Sequence, residues 1–128
     1  MNNYIAQISL LVNDYDEAIA FYIQKLGFVL LEDTKLSDTK RWVLVAPAAD
    51  SQFRLLLAKA VDNQISAVGN QSGGRVFLFL FTDNFEEMYQ LLLEQKVTII
   101  RNPEEQAYGK VLVFADLYGN LWDLIEKK

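Results

Sequence analysis

Two absences limit the chemistry open to this chain first: its 128 residues include no histidine and no cysteine. Zinc sites rely on imidazole and thiolate, and a non-heme iron site usually takes two His and one carboxylate, so only oxygen donors and lysine remain. The same absences remove disulfides, thiolate nucleophiles and the usual base for a nucleophilic serine. No serine stands in a nucleophile-elbow sequence, and Gly73-Gly74 lacks the lysine and the strand-to-helix setting of a phosphate loop. The sharpest single residue is Asp123, flanked by Leu121, Trp122, Leu124 and Ile125. A carboxylate among such neighbours either rises in pKa or takes a cationic partner, which a ligand amine or one of Arg41, Arg54 and Arg75 can supply. Trp42 and Tyr108 offer aromatic faces that either stack on a planar or cationic guest or pack into the core. An acid or base reaction through Asp123 and Tyr108 would need no metal.

The elements that must position these residues occur twice. The run Ile8 to Val12 is followed by Asn13, Asp14, Tyr15, Asp16 and Glu17, and the run Leu78 to Phe81 by Thr82, Asp83, Asn84, Phe85, Glu86 and Glu87. In each copy a strand-like run precedes a helix-capping pair, Asp14 with Glu17 and Asn84 with Glu87. Tyr15, Ala18, Ile19, Tyr22 and Leu26 then fall at helical spacing, as do Phe85, Met88, Tyr89 and Leu92, each set giving one buried stripe. Gly27 stops the first helix. Strands are predicted at residues 4–12, 28–32, 41–46 and 53–58, and again at 76–81, 97–101, 110–115 and 121–126, separated by turn-rich stretches such as Asn102-Pro103 and Gly119-Asn120. Each half thus reads as strand, helix and three strands, with a polar, Gly-rich connection over about residues 61–74.

Composition is that of a folded protein, with 52% apolar and 12% aromatic residues. A net charge of −5 disfavours nucleic acid and anionic membrane surfaces, which need clustered Lys and Arg, and leaves neutral or cationic partners. No stretch reaches the roughly 20 apolar residues of a membrane-spanning helix. Met1-Asn2-Asn3 lacks the basic and apolar regions of a signal peptide, so a cytoplasmic location is expected.

Over essentially its whole length the sequence resembles the vicinal oxygen chelate superfamily of glyoxalase, bleomycin resistance protein and extradiol dioxygenase type. The carriers are Ile8 to Val12 with Asp14-Tyr15-Asp16-Glu17-Ala18, then Phe21-Tyr22 with Leu26-Gly27-Phe28, and the closing Asp116-Leu117-Tyr118-Gly119-Asn120-Leu121-Trp122-Asp123-Leu124. Leu117 stands where the family usually has proline. The resemblance implies an α+β fold, a single domain over residues 1–128 in which two βαβββ modules, about 1–60 and 75–128, form curled mixed sheets around a cleft. It also implies that metal-dependent members draw His and Glu ligands from the first and last strands of each half. Projected onto this chain those positions are Gln7, Phe77, Leu55 and Asp123, so two of them are apolar and no metal or other cofactor is expected.

With Gln7 toward the cleft, strand alternation adds Ile5, Ser9 and Leu11; Phe77, Phe79 and Phe81 join from the second half. Leu55 and Leu57 would come from one closing strand, and Leu121, Asp123 and Ile125 from the other. Trp122 would then point the opposite way, beneath the second helix. The expected ligand-binding set is Gln7, Ser9, Trp42, Leu55, Phe77, Phe79, Phe81, Tyr108 and Asp123, an apolar lining with a few polar groups that suits a small molecule, aromatic or cationic. No catalytic residue stands out. The resemblance favours a homodimer that binds or sequesters its ligand without metal. Two alternatives stand beside it: a metal-dependent enzyme of glyoxalase or extradiol dioxygenase type, and a dimeric interaction module whose apolar face takes no ligand.

Overall fold

The computed structural model describes residues Met1–Lys128. The chain divides into two units, Met1–Val68 and Gly69–Lys128. In the first, β1 (Gln7–Val12) leads into α1 (Tyr15–Ala20), which tightens into a π-helical turn at Phe21–Lys25 before β2 (Val29–Lys35), β3 (Arg41–Ala46) and β4 (Arg54–Lys59). A short 3-10 helix, Asp62–Ala67, follows β4. The second unit repeats the order with β5 (Val76–Phe81), α2 (Phe85–Glu94), β6 (Ile99–Gln106), β7 (Gly109–Ala115) and β8 (Leu121–Lys127). No helix is long and apolar enough to cross a membrane.

Both helices start where the capping pairs place them. The Asp14 carboxylate accepts from the Glu17 amide at 2.8 Å, and Asn84 Oδ1 accepts from the Glu87 amide at 3.2 Å while its Nδ2 donates to Glu87 Oε2 at 2.9 Å. Each cap satisfies one of the backbone donors that a helix start leaves open. Gly27, at φ 73°, turns the chain out of the first helix in a conformation that other residues resist.

Each unit forms a four-stranded mixed sheet, ordered β1-β4-β3-β2 in the first and β5-β8-β7-β6 in the second. The first and last strands of each unit pair in parallel, and the remaining pairs are antiparallel. In the first sheet Leu10, Val12, Val43, Val45, Leu55 and Leu57 are buried on the face that α1 covers, together with Ala18, Phe21 and Tyr22. In the second, Leu112, Phe114, Trp122 and Leu124 are buried with Phe85 and Leu92 of α2, and the Phe114 and Trp122 rings stack with centroids 5.7 Å apart. Burial of each such side chain stabilises its unit by about 1.5–3 kcal/mol.

Three strands differ from the sequence expectation by three residues or more at one end, β2 by running on to Lys35 through the stretch expected as a turn. β1 starts at Gln7 rather than Tyr4, and Tyr4 and Ile5 are exposed. β6 runs through Asn102-Pro103 instead of breaking there. Proline removes a ladder donor, but β6 is an edge strand and its pairing with β7 slips between Arg101 and Glu104, so the missing N–H interrupts nothing.

The turn between β7 and β8 is built on one buried carboxylate. Asp116 Oδ1 accepts from the amides of Tyr118, Gly119 and Asn120 at 3.0, 3.0 and 2.9 Å, and Oδ2 accepts from Asn120 Nδ2 at 2.9 Å. Gly119 sits at φ 106° inside this ring of donors. Gly69 packs so closely on the turn that a Cβ there would run into the Tyr118 carbonyl oxygen. Replacing Asp116 by Ala strips the turn's buried donors of their acceptor and is expected to cost about 3 kcal/mol in urea unfolding. A loss below about 0.5 kcal/mol would mean that the turn holds without its carboxylate.

Candidate functional site

Register decides which side chains share a face. In the first sheet Gln7 lies opposite Arg54, Ser9 opposite Leu56 and Leu11 opposite Ala58. These residues and Trp42 are on the face away from α1, because Leu10 pairs with Leu57 and Leu57 with Val43 on the helix-covered face. The expectation for Leu55 therefore fails: it is buried under α1 with Leu57, and Leu56 takes its place on the open face. A one-residue slip in matching the closing strands of the two halves moves every side chain to the other face. The corresponding pair in the second sheet is Phe79 opposite Asp123, so Leu56, not Leu55, is the counterpart of Asp123.

The first unit carries a groove of about 620 Å³ around the start of β3 and the end of β4. Ser9, Trp42, Leu56 and Ala58 contribute from the open face, and Val61 and Gln64 from the segment after β4. Lys40, Arg41 and Lys59 line it as well. Of the sequence-predicted set, this groove brings together Ser9 and Trp42; Gln7 shares their sheet face but is not part of the lining.

Arg41 is fully committed. Its Nε and Nη2 bind the two oxygens of Asp33 at 3.0 and 2.6 Å, its Nη1 reaches Asp16 at 2.9 Å, and its guanidinium lies 5.1 Å from the centre of the Tyr15 ring. Its backbone amide donates to the Tyr15 hydroxyl at 3.2 Å. The Arg41 hydrogen bond, more than its charge, holds the Asp33 carboxyl below its ordinary range, against the opposing effect of burial. Arg41 thus serves Asp33 and Asp16, and is not the partner of Asp123 that the sequence allowed.

In the second unit Asp123 and Tyr108 line a small cavity of about 90 Å³ with Arg101, Glu104 and Val113. Burial pushes the Asp123 carboxyl up, and the Arg101 charge opposes this. Asp123 forms no ion pair, so the charge facing it comes from Arg101 rather than from Arg41, Arg54 or Arg75. Phe79 and Phe81 are 61% and 57% exposed, while Phe77 is the half-buried extra residue where β5 slips against β8. Lys127 lies over the Phe81 ring at 5.0 Å. Trp122 is buried on the opposite face, as alternation from Asp123 requires.

The sequence reading missed Leu56, Lys40, Lys59 and Arg101. Leu56 reaches this face through the register between β1 and β4, which no local signal fixes, and nothing local announces that Lys40 and Lys59 converge. The residues present do not fit the metal of the vicinal oxygen chelate enzymes. The matched strand positions hold Gln7, Ser9, Leu56, Phe77, Phe79 and Asp123, and no group of three or more His, Cys, Asp or Glu side chains is placed to hold an ion.

Residues 4–124 match the model of the glyoxalase/bleomycin resistance protein/dioxygenase superfamily, and the chain belongs to that superfamily. An uncharacterized protein of Shewanella frigidimarina (strain NCIMB 400) is 52% identical, over 98% of this chain and 95% of its own length. Among solved structures, UcmS2 is similar with a TM-score of 0.84 at 26% identity, over 98% of both chains. TnmS3, an antibiotic binding protein from Streptomyces sp. CB03234, is similar with a TM-score of 0.80 at 26% identity, over 99% of this chain and 98% of that one.

Two substitutions probe the electrostatics in opposite directions. The depressed Asp33 pKa contributes stability that is present above its ordinary 3.8 and disappears as pH falls through the folded value. Arg41→Met should therefore lower stability at pH 7 by about 1 kcal/mol, with the difference from wild type shrinking toward pH 3 in urea titrations. The raised Asp123 pKa works the other way, since the native state holds its proton longer and stability declines as pH rises between the unfolded and folded values. Asp123→Asn should raise Tm at pH 7 and lose that gain in acid; a lower Tm at pH 7 would show Asp123 to be well solvated or paired.

Proposed function

We propose that this chain is a metal-free small-molecule-binding protein of its superfamily, holding an aromatic or cationic guest rather than transforming it. The observation that carries the reading is the groove of the first unit, with the indole of Trp42 in its lining among Leu56, Ala58 and Val61. An aromatic wall with aliphatic neighbours and a few polar groups is the usual composition of a small-molecule site. Asp123, beside Tyr108, is the place where a cationic group of a guest would gain most, because its carboxylate has only the field of Arg101 to balance it. Similarity to TnmS3, an antibiotic binding protein, supports binding as the function. The donor set supports the metal-free state: a lone carboxylate and an amide on the matched strands give a transition metal too little to bind.

Exposed Phe79 and Phe81 favour a second reading, in which a homodimer covers this face with a second copy. A monomer at micromolar concentration in light scattering after gel filtration would exclude this second reading, whereas a dimer fits both and leaves the ligand titration to decide.

Titration with planar aromatic and glycopeptide compounds by calorimetry is expected to find a saturable ligand, and Trp42→Leu to weaken it by about tenfold. Purified protein should carry no stoichiometric metal by elemental analysis and gain no lyase or dioxygenase activity with added nickel, zinc, iron or manganese. Stoichiometric metal with activity would overturn the proposal.

A further inference from the structure

We infer that the groove of the first unit selects planar aromatic acids, so that its guest carries a negative charge although the protein does as well. The inference rests on the small-molecule reading above, keeps its aromatic guest and replaces its cationic one for this groove, and so assigns the ligand class. The chain is acidic overall, at −5, but every charged side chain in the groove lining is basic: Lys40, Arg41 and Lys59. Arg41 is more than neutralised by its bonds to Asp33 and Asp16, a cluster of net −1, so with Lys40 and Lys59 the groove and its immediate partners still carry a net positive charge. Lys35 takes up Asp38 of the adjoining hairpin at 3.5 Å. Lys40 and Lys59 are exposed and in no ion pair; Asp33 and Asp38 share an adjoining pocket with them, but both carboxylates are engaged by Arg41 and Lys35, so the two ammonium groups are left as the uncommitted charges at the rim.

The remaining lining supplies the rest of the recognition. Trp42 contributes an aromatic face, and Leu56 and Ala58 apolar surface beside it. Lysine suits such a role because its ammonium is a point charge on a flexible stem that can follow a carboxylate, sulfonate or phenolate at several positions. A cationic guest would meet the same two ammonium groups as a penalty. Net charge therefore gives the wrong sign for this groove, and only the local pairing pattern gives the right one.

Three isosteric probes test this: anthraquinone-2-carboxylate, its neutral carboxamide and a trimethylammonium-methyl analogue, titrated by calorimetry at pH 7 in low salt. The carboxylate is expected to bind at least about tenfold tighter than the amide, the amide tighter than the cation, and added salt should narrow the gap. In the exposed double variant Lys40→Glu/Lys59→Glu, checked for an unchanged Tm, the order should invert. Equal affinity for all three probes, or a carboxylate preference that survives in the double variant, overturns the inference and leaves small-molecule binding standing. Binding of none of the probes or of the wider aromatic panel sinks both.

Discussion

Everything else in each unit depends on the parallel pairing of its first and last strands. A parallel pair cannot be closed by a tight turn, so the chain must travel through a helix and two intervening strands before the last strand returns beside the first. That return pays its loop-closure cost only because the helix-covered face is continuous apolar surface, with Leu10, Leu57 and Val43 in one row and Trp122, Phe114 and Leu124 in the other. Once the pair is closed, the opposite face is fixed without further choice. Ser9 must neighbour Leu56, and Phe79 must neighbour Asp123.

Much of this was legible in the sequence, and the reason is local. The caps at Asp14 and Asn84, the helical stripes and the centres of the strand runs are short-range signals that the structure uses, although several strand ends move. The face of Trp122 was legible too, because alternation within one strand needs no partner. Leu55 was not, because its face depends on a match between strands far apart in sequence, where one residue of slip is invisible to composition. The course of β6 through Pro103 was hidden for a related reason: whether proline breaks a strand depends on whether a neighbour needs its N–H, which only the sheet order tells.

The charges follow the same division. Counting them predicts a protein that repels anions, yet Arg41 gathers Asp33 and Asp16 and leaves Lys40 and Lys59 of the same groove in no ion pair. In the second unit the charge facing Asp123 comes from Arg101, which stands between two register shifts of β6, so no spacing rule links the two.

The chain has two tryptophans, and they fall one to each unit in opposed surroundings. Trp122 is packed against Phe114 in the interior, whereas Trp42 is half-buried at the groove. Their emission should differ in colour, blue-shifted for the enclosed indole and redder for the one near solvent. Each unit thus carries its own optical label, and a single emission spectrum recorded during unfolding resolves whether the two halves melt together or in turn.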